Sequence, residues 1–221
     1  MSIKTFFKKL IGRDANNGFP GSSSYWEQRY ANGGNSGAGS YNNLAEFKAE
    51  VLNNFIKENN IHNVIEFGCG DGNQLSLINY PKYIGLDVAK TAIIICKNKF
   101  RNDKSKSFYL YDTNAFVDNH KLFHSELSIS LDVIYHLIED EVFNQYMEHL
   151  FDASSRFVLI YASNFKKKQT YHEKDRVFTE WVERNKKDFR LVKKIDNRYK
   201  YDVNNSAFTS KADFFIYEKL D

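Results

Sequence analysis

The stretch that decides the fold is Val64-Ile65-Glu66-Phe67-Gly68-Cys69-Gly70-Asp71-Gly72-Asn73. An apolar, strand-like run leads into three glycines spaced by one residue. Glycine has no Cβ, so the chain can turn tightly there and a ligand can approach the backbone closely. The spacing is G-x-G-x-G. A dinucleotide-binding turn reads G-x-G-x-x-G and seats a pyrophosphate on the following helix N-terminus. Here Glu66 precedes the turn and Asp71 lies within it. Two carboxylates make a poor phosphate cradle and suit a ligand that carries an amino group and a cation. Asp87 ends the next strand, in YIGLDVA, fifteen residues past Gly72. A carboxylate at that place can accept hydrogen bonds from both hydroxyls of a ribose. A generic nucleotide-binding Rossmann domain is the alternative reading of the pattern.

Working outward, the chain alternates strand and helix, the mark of a parallel sheet covered on both faces. The pattern predicts strands at 63–67, 82–87, 107–111, 126–131 and 156–161, with helices near 72–79, 89–101 and 139–151. A helix over 42–59 precedes them, with Leu44, Phe47, Val51, Leu52, Phe55 and Ile56 on one stripe. A charged helical segment near 173–187 follows the fifth strand. Strands at 190–199 and 212–219, joined by a loop, would pair antiparallel. The expected fold is therefore α/β and Rossmann-like: a seven-stranded, mostly parallel sheet with an antiparallel last strand and helices on both faces.

Two segments precede this core. Residues 1–13 place Ile3, Phe6, Phe7, Leu10 and Ile11 on one helical face beside Lys4, Lys8, Lys9 and Arg13. Residues 14–24 read as a linker rich in turn formers. The organisation expected is an amphipathic segment and linker over 1–24 and one catalytic domain over 25–221, whose first part, 25–41, forms a glycine-rich lid. The helix at 1–13 would either lie weakly on a membrane surface or dock on the domain or a second subunit.

The 221 residues are 42% hydrophobic and 16% aromatic, enough for a packed core. The net charge of +3 does not argue for a nucleic-acid partner. Cys69 and Cys96 lack disulfide or metal-ligand spacing, so reduced thiols, no metal and a cytoplasmic location, peripheral to the inner face of the membrane if 1–13 binds it, are expected. No run is long enough to span a bilayer, and no signal-peptide plan is visible.

VIEFGCGDG resembles motif I of class I S-adenosylmethionine-dependent methyltransferases, and the resemblance covers roughly residues 40–220. It implies that Gly68 and Gly70 lie against the methionine part of the cofactor. It further implies that Glu66 helps hold the cofactor's amino group, that Asp87 binds the ribose, and that Asp112, in YLYDTNAF, contacts the adenine. The segment Tyr25-Trp-x-x-Arg29-Tyr30 resembles those of methyltransferases whose N-terminal part closes over the cofactor. That places Arg29 at the cofactor carboxylate, Tyr25 at the cofactor and Tyr30 toward the substrate. Together with VIEFGCGDGNQL it resembles methyltransferases of bacterial surface-polysaccharide clusters, including those linked to O-methyl phosphoramidate decoration of capsules.

The transfer site is expected beyond the fourth strand, in SLDVIYHL. His136 is the candidate general base, since a histidine near neutral pKa can take the proton of a hydroxyl acceptor. Asp132 is the second catalytic candidate. The alternatives are a structural histidine and a helix-capping aspartate. Residues 163–200 hold 13 Lys or Arg against 6 Asp or Glu, and His172 and Arg176 are the candidates for binding an anionic group of the acceptor. A solvated charged helix with Phe178 and Trp181 turned inward is the alternative there. No Asn/Asp-Pro-Pro-Tyr motif follows strand four, which argues against nucleobase methylation. The function expected is O-methylation of a small, anionic or glycan-related acceptor. An RNA methyltransferase and a non-catalytic S-adenosylmethionine-binding regulator are the alternatives.

Overall fold

The computed structural model describes residues 18–167 and 169–220. The expected helix over 1–13 lies outside the described residues. Five α-helices and seven strands follow: α1 Ser22–Ala31, α2 Asn42–Glu58, β1 Val64–Phe67, β2 Tyr83–Asp87, α3 Lys90–Lys99, β3 Lys106–Leu110, β4 Ser125–Leu131, α4 Asp140–Asp152, β5 Ser154–Ala162, α5 Phe178–Asn185, β6 Phe189–Ile195 and β7 Asp213–Lys219. The strands form one sheet in the order β3-β2-β1-β4-β5-β7-β6. β7 runs antiparallel to both β5 and β6, and the other pairs are parallel. This is the expected Rossmann-like sheet.

The sheet's period of two sorts the core into two layers. Leu127, Ile129, Leu131, Phe157, Leu159 and Tyr161 face the layer of α2 and α3. Ile65, Phe67, Val158 and Ile160 face α4 and α5, where Tyr146, Met147, Leu150, Phe178 and Trp181 meet them. Glu66 shares the α2 side with Val64, so its carboxylate is buried beneath the turn. The order reverses between β1 and β4, which opens a crevice at the carboxyl ends of the strands.

Two expected helices are corrected. The helix near 72–79 is only a 3₁₀ turn, Leu75–Leu77, after which Ile78 is extended (φ −122°, ψ 135°). Pro81 follows closely and disfavours helix before it, and the chain must still reach β2 at Tyr83. The helix near 173–187 shrinks to α5. Residues before it spend their hydrogen bonds elsewhere: the Lys174 N–H donates to the Tyr135 carbonyl at 2.7 Å. The strand expected to reach 199 ends at Ile195, because Asn197 turns inward and donates to the Tyr161 hydroxyl at 2.7 Å. No helix among the described residues is long and apolar enough to cross a membrane.

Phe67 is fully buried in the layer against α4. Its ring lies 5.3 Å from Tyr111 and 5.8 Å from Tyr146, and its carbonyl accepts the Tyr146 hydroxyl at 2.9 Å. Phe67→Ala is expected to cost about 3–5 kcal/mol in urea unfolding. A loss under about 1 kcal/mol would mean that this layer does not hold the sheet together.

Candidate active site

The glycine turn is held from two sides. The N–H groups of Gly68 and Cys69 both donate to the Leu86 carbonyl, at 2.7 and 3.0 Å. The Gly70 N–H donates to Asp87 Oδ2 at 2.8 Å, and Asp87 Oδ1 accepts the Ala89 N–H at 2.8 Å. Gly68 and Gly70 sit at φ +89° and +56°. A Cβ on Gly68 would stand 2.5 Å from Val133, and one on Gly70 would overlap Ser36 of the lid. Both positions therefore need glycine for conformation and for space.

Above the turn lies a cavity of about 510 Å³, roofed by α1 and the loop 32–40. Glu66, Gly68, Gly70, Asp87, Asp112, Asp132 and His136 all line it, as does Tyr30. These eight of the sequence-derived residues share one space. Glu66 accepts the Tyr83 hydroxyl at 2.6 Å. Burial pushes the Glu66 carboxyl up to about 7 and Asp87 up to about 6. Asp112 accepts the Asn114 N–H at 2.9 Å in a turn at the cavity edge. Gln74, which sequence reasoning passed over, also lines the cavity. Its amide nitrogen donates to the Ala45 carbonyl at 3.0 Å, while its Oε1 is buried with no partner. A buried acceptor without a protein donor is open to one from a ligand or a water.

The lid is fastened by acids. Asp71 Oδ2 accepts the Ser36 N–H at 2.9 Å and the Tyr41 hydroxyl at 2.8 Å. Asp71 therefore latches the lid rather than facing an amino group. Tyr30 hydrogen-bonds Ser36 at 3.0 Å. Glu27 takes the Thr91 N–H and hydroxyl at 3.0 and 2.6 Å, and Glu139 takes the Ser22 N–H and hydroxyl at 2.9 and 2.6 Å. The expected positions of Tyr25 and Arg29 are corrected: neither lines the cavity. Tyr25 stacks on His172 with centroids 5.3 Å apart. Arg29 donates from Nε to the Asn35 carbonyl at 2.6 Å and braces the lid from outside.

At the end of β4, Asp132 adopts φ +60°. Its Oδ2 takes the ammonium of Lys48 at 2.6 Å and its Oδ1 the Tyr135 hydroxyl at 2.8 Å. Lys48 is fully buried. Asp132 thus anchors Lys48 and Tyr135 and caps no helix, while its side chain lines the cavity. Gly39 of the lid lies directly on this carboxylate, where a Cβ would come within 2.6 Å. His136 hydrogen-bonds the His172 carbonyl through Nδ1 at 2.9 Å. A carbonyl only accepts, so Nδ1 carries the proton and Nε2 keeps a lone pair. Burial pushes this imidazole well below its usual value, so it is neutral near pH 7. The anion-binding pair is not assembled as expected. Arg176 donates to the Leu137 carbonyl and to Asp140, both at 2.7 Å, and lies over the Phe143 ring. Lys174 also pairs with Asp140, at 2.7 Å. His172 brings a ring nitrogen within 4.8 Å of donor atoms of His136 and Glu173, a grouping that could hold a metal ion.

No family model matches the sequence, and no curated protein matches it. Solved structures do. The fold is similar to the methyltransferase domain of bacterial CtHen1-C, with a TM-score of 0.62 and 18% identity over 81% of this chain and 100% of that one. It is similar to the N-methyltransferase NodS from Bradyrhizobium japonicum WM9, with a TM-score of 0.63 and 11% identity over 81% and 99%. Magnesium protoporphyrin IX methyltransferase from Synechocystis PCC 6803, crystallised with bound SAH, gives a TM-score of 0.60 and 13% identity over 96% and 99%. The fold is that of the class I methyltransferases.

Lys48→Met leaves the Asp132 charge without its partner, which should cost about 3–5 kcal/mol in urea unfolding. Adding Asp132→Asn to that variant should recover part of the loss. A double variant no more stable than Lys48→Met would contradict the pairing.

Proposed function

We propose that the chain is an S-adenosylmethionine-dependent methyltransferase that places a methyl group on an oxygen of a small acceptor. The observation that carries this reading is the convergence of Asp87, Glu66 and the unpartnered Gln74 Oε1 on one cavity beside the glycine turn. These groups fit a ribose and an ammonium. When bound, the cofactor supplies a methyl group on a sulfonium, already activated for displacement. Asp87 retains lone pairs for the ribose hydroxyls after taking the Gly70 and Ala89 amides. Glu66 and Gln74 Oε1 receive the amino group, and Asp112 lies at the adenine end. Ser36 and Tyr30 close over the methionine part.

The chain's own task is then to align the acceptor and handle its proton. His136 presents the Nε2 lone pair and activates the acceptor oxygen. Lys48 and Tyr135 hold Asp132, and with it the loop that carries His136 and the lid glycine resting on it. The roofed cavity favours a small molecule over nucleic acid. A glycan-type acceptor, as in surface-polysaccharide modification, is proposed from the sequence resemblance. An anion-binding role for Arg176 gains no support, since its guanidinium is committed to Leu137 and Asp140.

Calorimetry with S-adenosylhomocysteine tests the reading, and Asp87→Ala should weaken binding by about 1–3 kcal/mol. No binding by the unaltered chain at millimolar ligand would refute it. Binding also has a pH signature. An amino group next to Glu66 needs the carboxylate ionised, so affinity should rise about tenfold between about pH 6 and about pH 8. The unliganded protein moves the other way. A raised carboxyl pKa gives stability that is full below the unfolded value and lost as pH climbs through 6 to 7. An affinity flat across that range would contradict the assignment of Glu66. His136→Ala should leave S-adenosylhomocysteine affinity nearly unchanged while turnover on an accepted substrate, read as homocysteine release, falls by about 10²–10⁴. Undiminished turnover would remove His136 from the chemistry.

A further inference from the structure

Next to His136 in the cavity wall stands more donor chemistry than methyl alignment requires. His136 on the loop after β4 and His172 and Glu173 on the loop 163–177 bring two imidazole nitrogens and a carboxylate oxygen within 4.8 Å of one another. His136 donates its Nδ1–H to the His172 carbonyl at 2.9 Å. An imidazole that binds a metal through one nitrogen characteristically spends the other on such an acceptor, which fixes its tautomer and plane. Glu173 is oriented too: Lys211 reaches its Oε2 at 2.9 Å and Asp175 Oδ2 at 2.9 Å. Among the described residues no hydrogen bond is made to Oε1 of Glu173.

A second observation points the same way. Five carboxylates line the cavity, from Glu66, Asp87, Asp112, Asp132 and Glu139, and among the described residues no lysine or arginine does. The nearby cations are committed, Lys48 to Asp132, Lys174 and Arg176 to Asp140, and Lys211 to Glu173 and Asp175. An acceptor oxygen that gathers negative charge as it loses its proton meets no compensating positive group in this wall.

We propose that His136, His172 and Glu173 form a site for a divalent first-row transition-metal ion that binds and activates the acceptor oxygen. The proposal rests on the methyltransferase reading and specifies what the His136 lone pair is for. Two imidazoles and one carboxylate leave coordination positions open for a ligand, and the nitrogen share favours manganese, iron, cobalt or zinc over magnesium and calcium. Ligand atoms about 2.0–2.2 Å from one ion stand roughly 3–3.5 Å apart. The His136 and His172 rings lie nearly parallel with centroids 5.5 Å apart, so coordination requires the half-buried His172 ring to turn off Tyr25. The acceptor hydroxyl bound there gives its proton to solvent. Its oxygen then forms the bond to the methyl carbon as the carbon–sulfur bond breaks, and that electron pair neutralises the sulfonium.

The test titrates the full chain, first stripped with a chelator, with Co²⁺ alone, followed by ligand-field absorption and calorimetry. Saturable micromolar binding is expected, unaffected by a large excess of Mg²⁺. His172→Ala, His172→Gln and Glu173→Gln should each weaken it by at least about tenfold. S-adenosylhomocysteine calorimetry on the same samples reports whether each variant keeps a folded cavity. No saturable Co²⁺ binding by the unaltered chain overturns the proposal, as does full affinity in the folded His172 and Glu173 variants. Loss of S-adenosylhomocysteine binding in the unaltered chain is a separate failure, that of the methyltransferase reading.

Discussion

The hydrogen bond from the Gly70 amide to the buried carboxylate of Asp87 is the contact around which the working end of the molecule is arranged. It ties the turn after β1 to the end of β2. Only a glycine can occupy that turn at φ +56° with Ser36 resting on it. Ser36 and Tyr30 of the roof rest against this crossing of two neighbouring strands. The cost is a carboxylate held out of water, whose pKa rises to about 6 because burial outweighs the two amides it accepts.

Charge is distributed around the cavity with a consistent logic. Acids inside the wall are left facing the cavity, while acids at its margin are used as fasteners. Asp71, Glu27 and Glu139 hold the lid and α1 through backbone amides and hydroxyls. Asp132 is balanced by a lysine with no solvent exposure, an arrangement that is costly to break but strongly orienting. Lys174 and Arg176 of the loop 163–177 serve the same kind of anchoring, both at Asp140. A cavity lined this way suits a cationic ligand.

The fold was legible because its signals are local. Alternating apolar runs placed the seven strands, and three glycines with Glu66 and Asp87 placed the ligand crevice. What escaped was whatever depends on distant partners. Lys48 interrupts the apolar stripe between Leu44 and Leu52, and that position was its only advertisement; its partner lies 84 residues away. Gln74 looks like any polar residue until its burial is known. Arg176 reads as a substrate-binding cation in sequence, but two carbonyls and Asp140 claim it. Tyr25 and Arg29 share a segment with Tyr30 and Trp26, yet helix periodicity turns only the latter two toward the cavity. His172 and Glu173 sit 36 and 37 residues from His136 along the chain, so no ligand spacing could reveal them.

The most direct test of the account is a crystal structure of the chain grown with S-adenosylhomocysteine. The account predicts the ligand beneath α1, with its ribose hydroxyls on Asp87, its amino group between Glu66 and Gln74 Oε1, and its adenine beside Asp112. A ligand bound elsewhere, or bound in the cavity with Asp87 and Gln74 making no contact to it, would contradict the central claim.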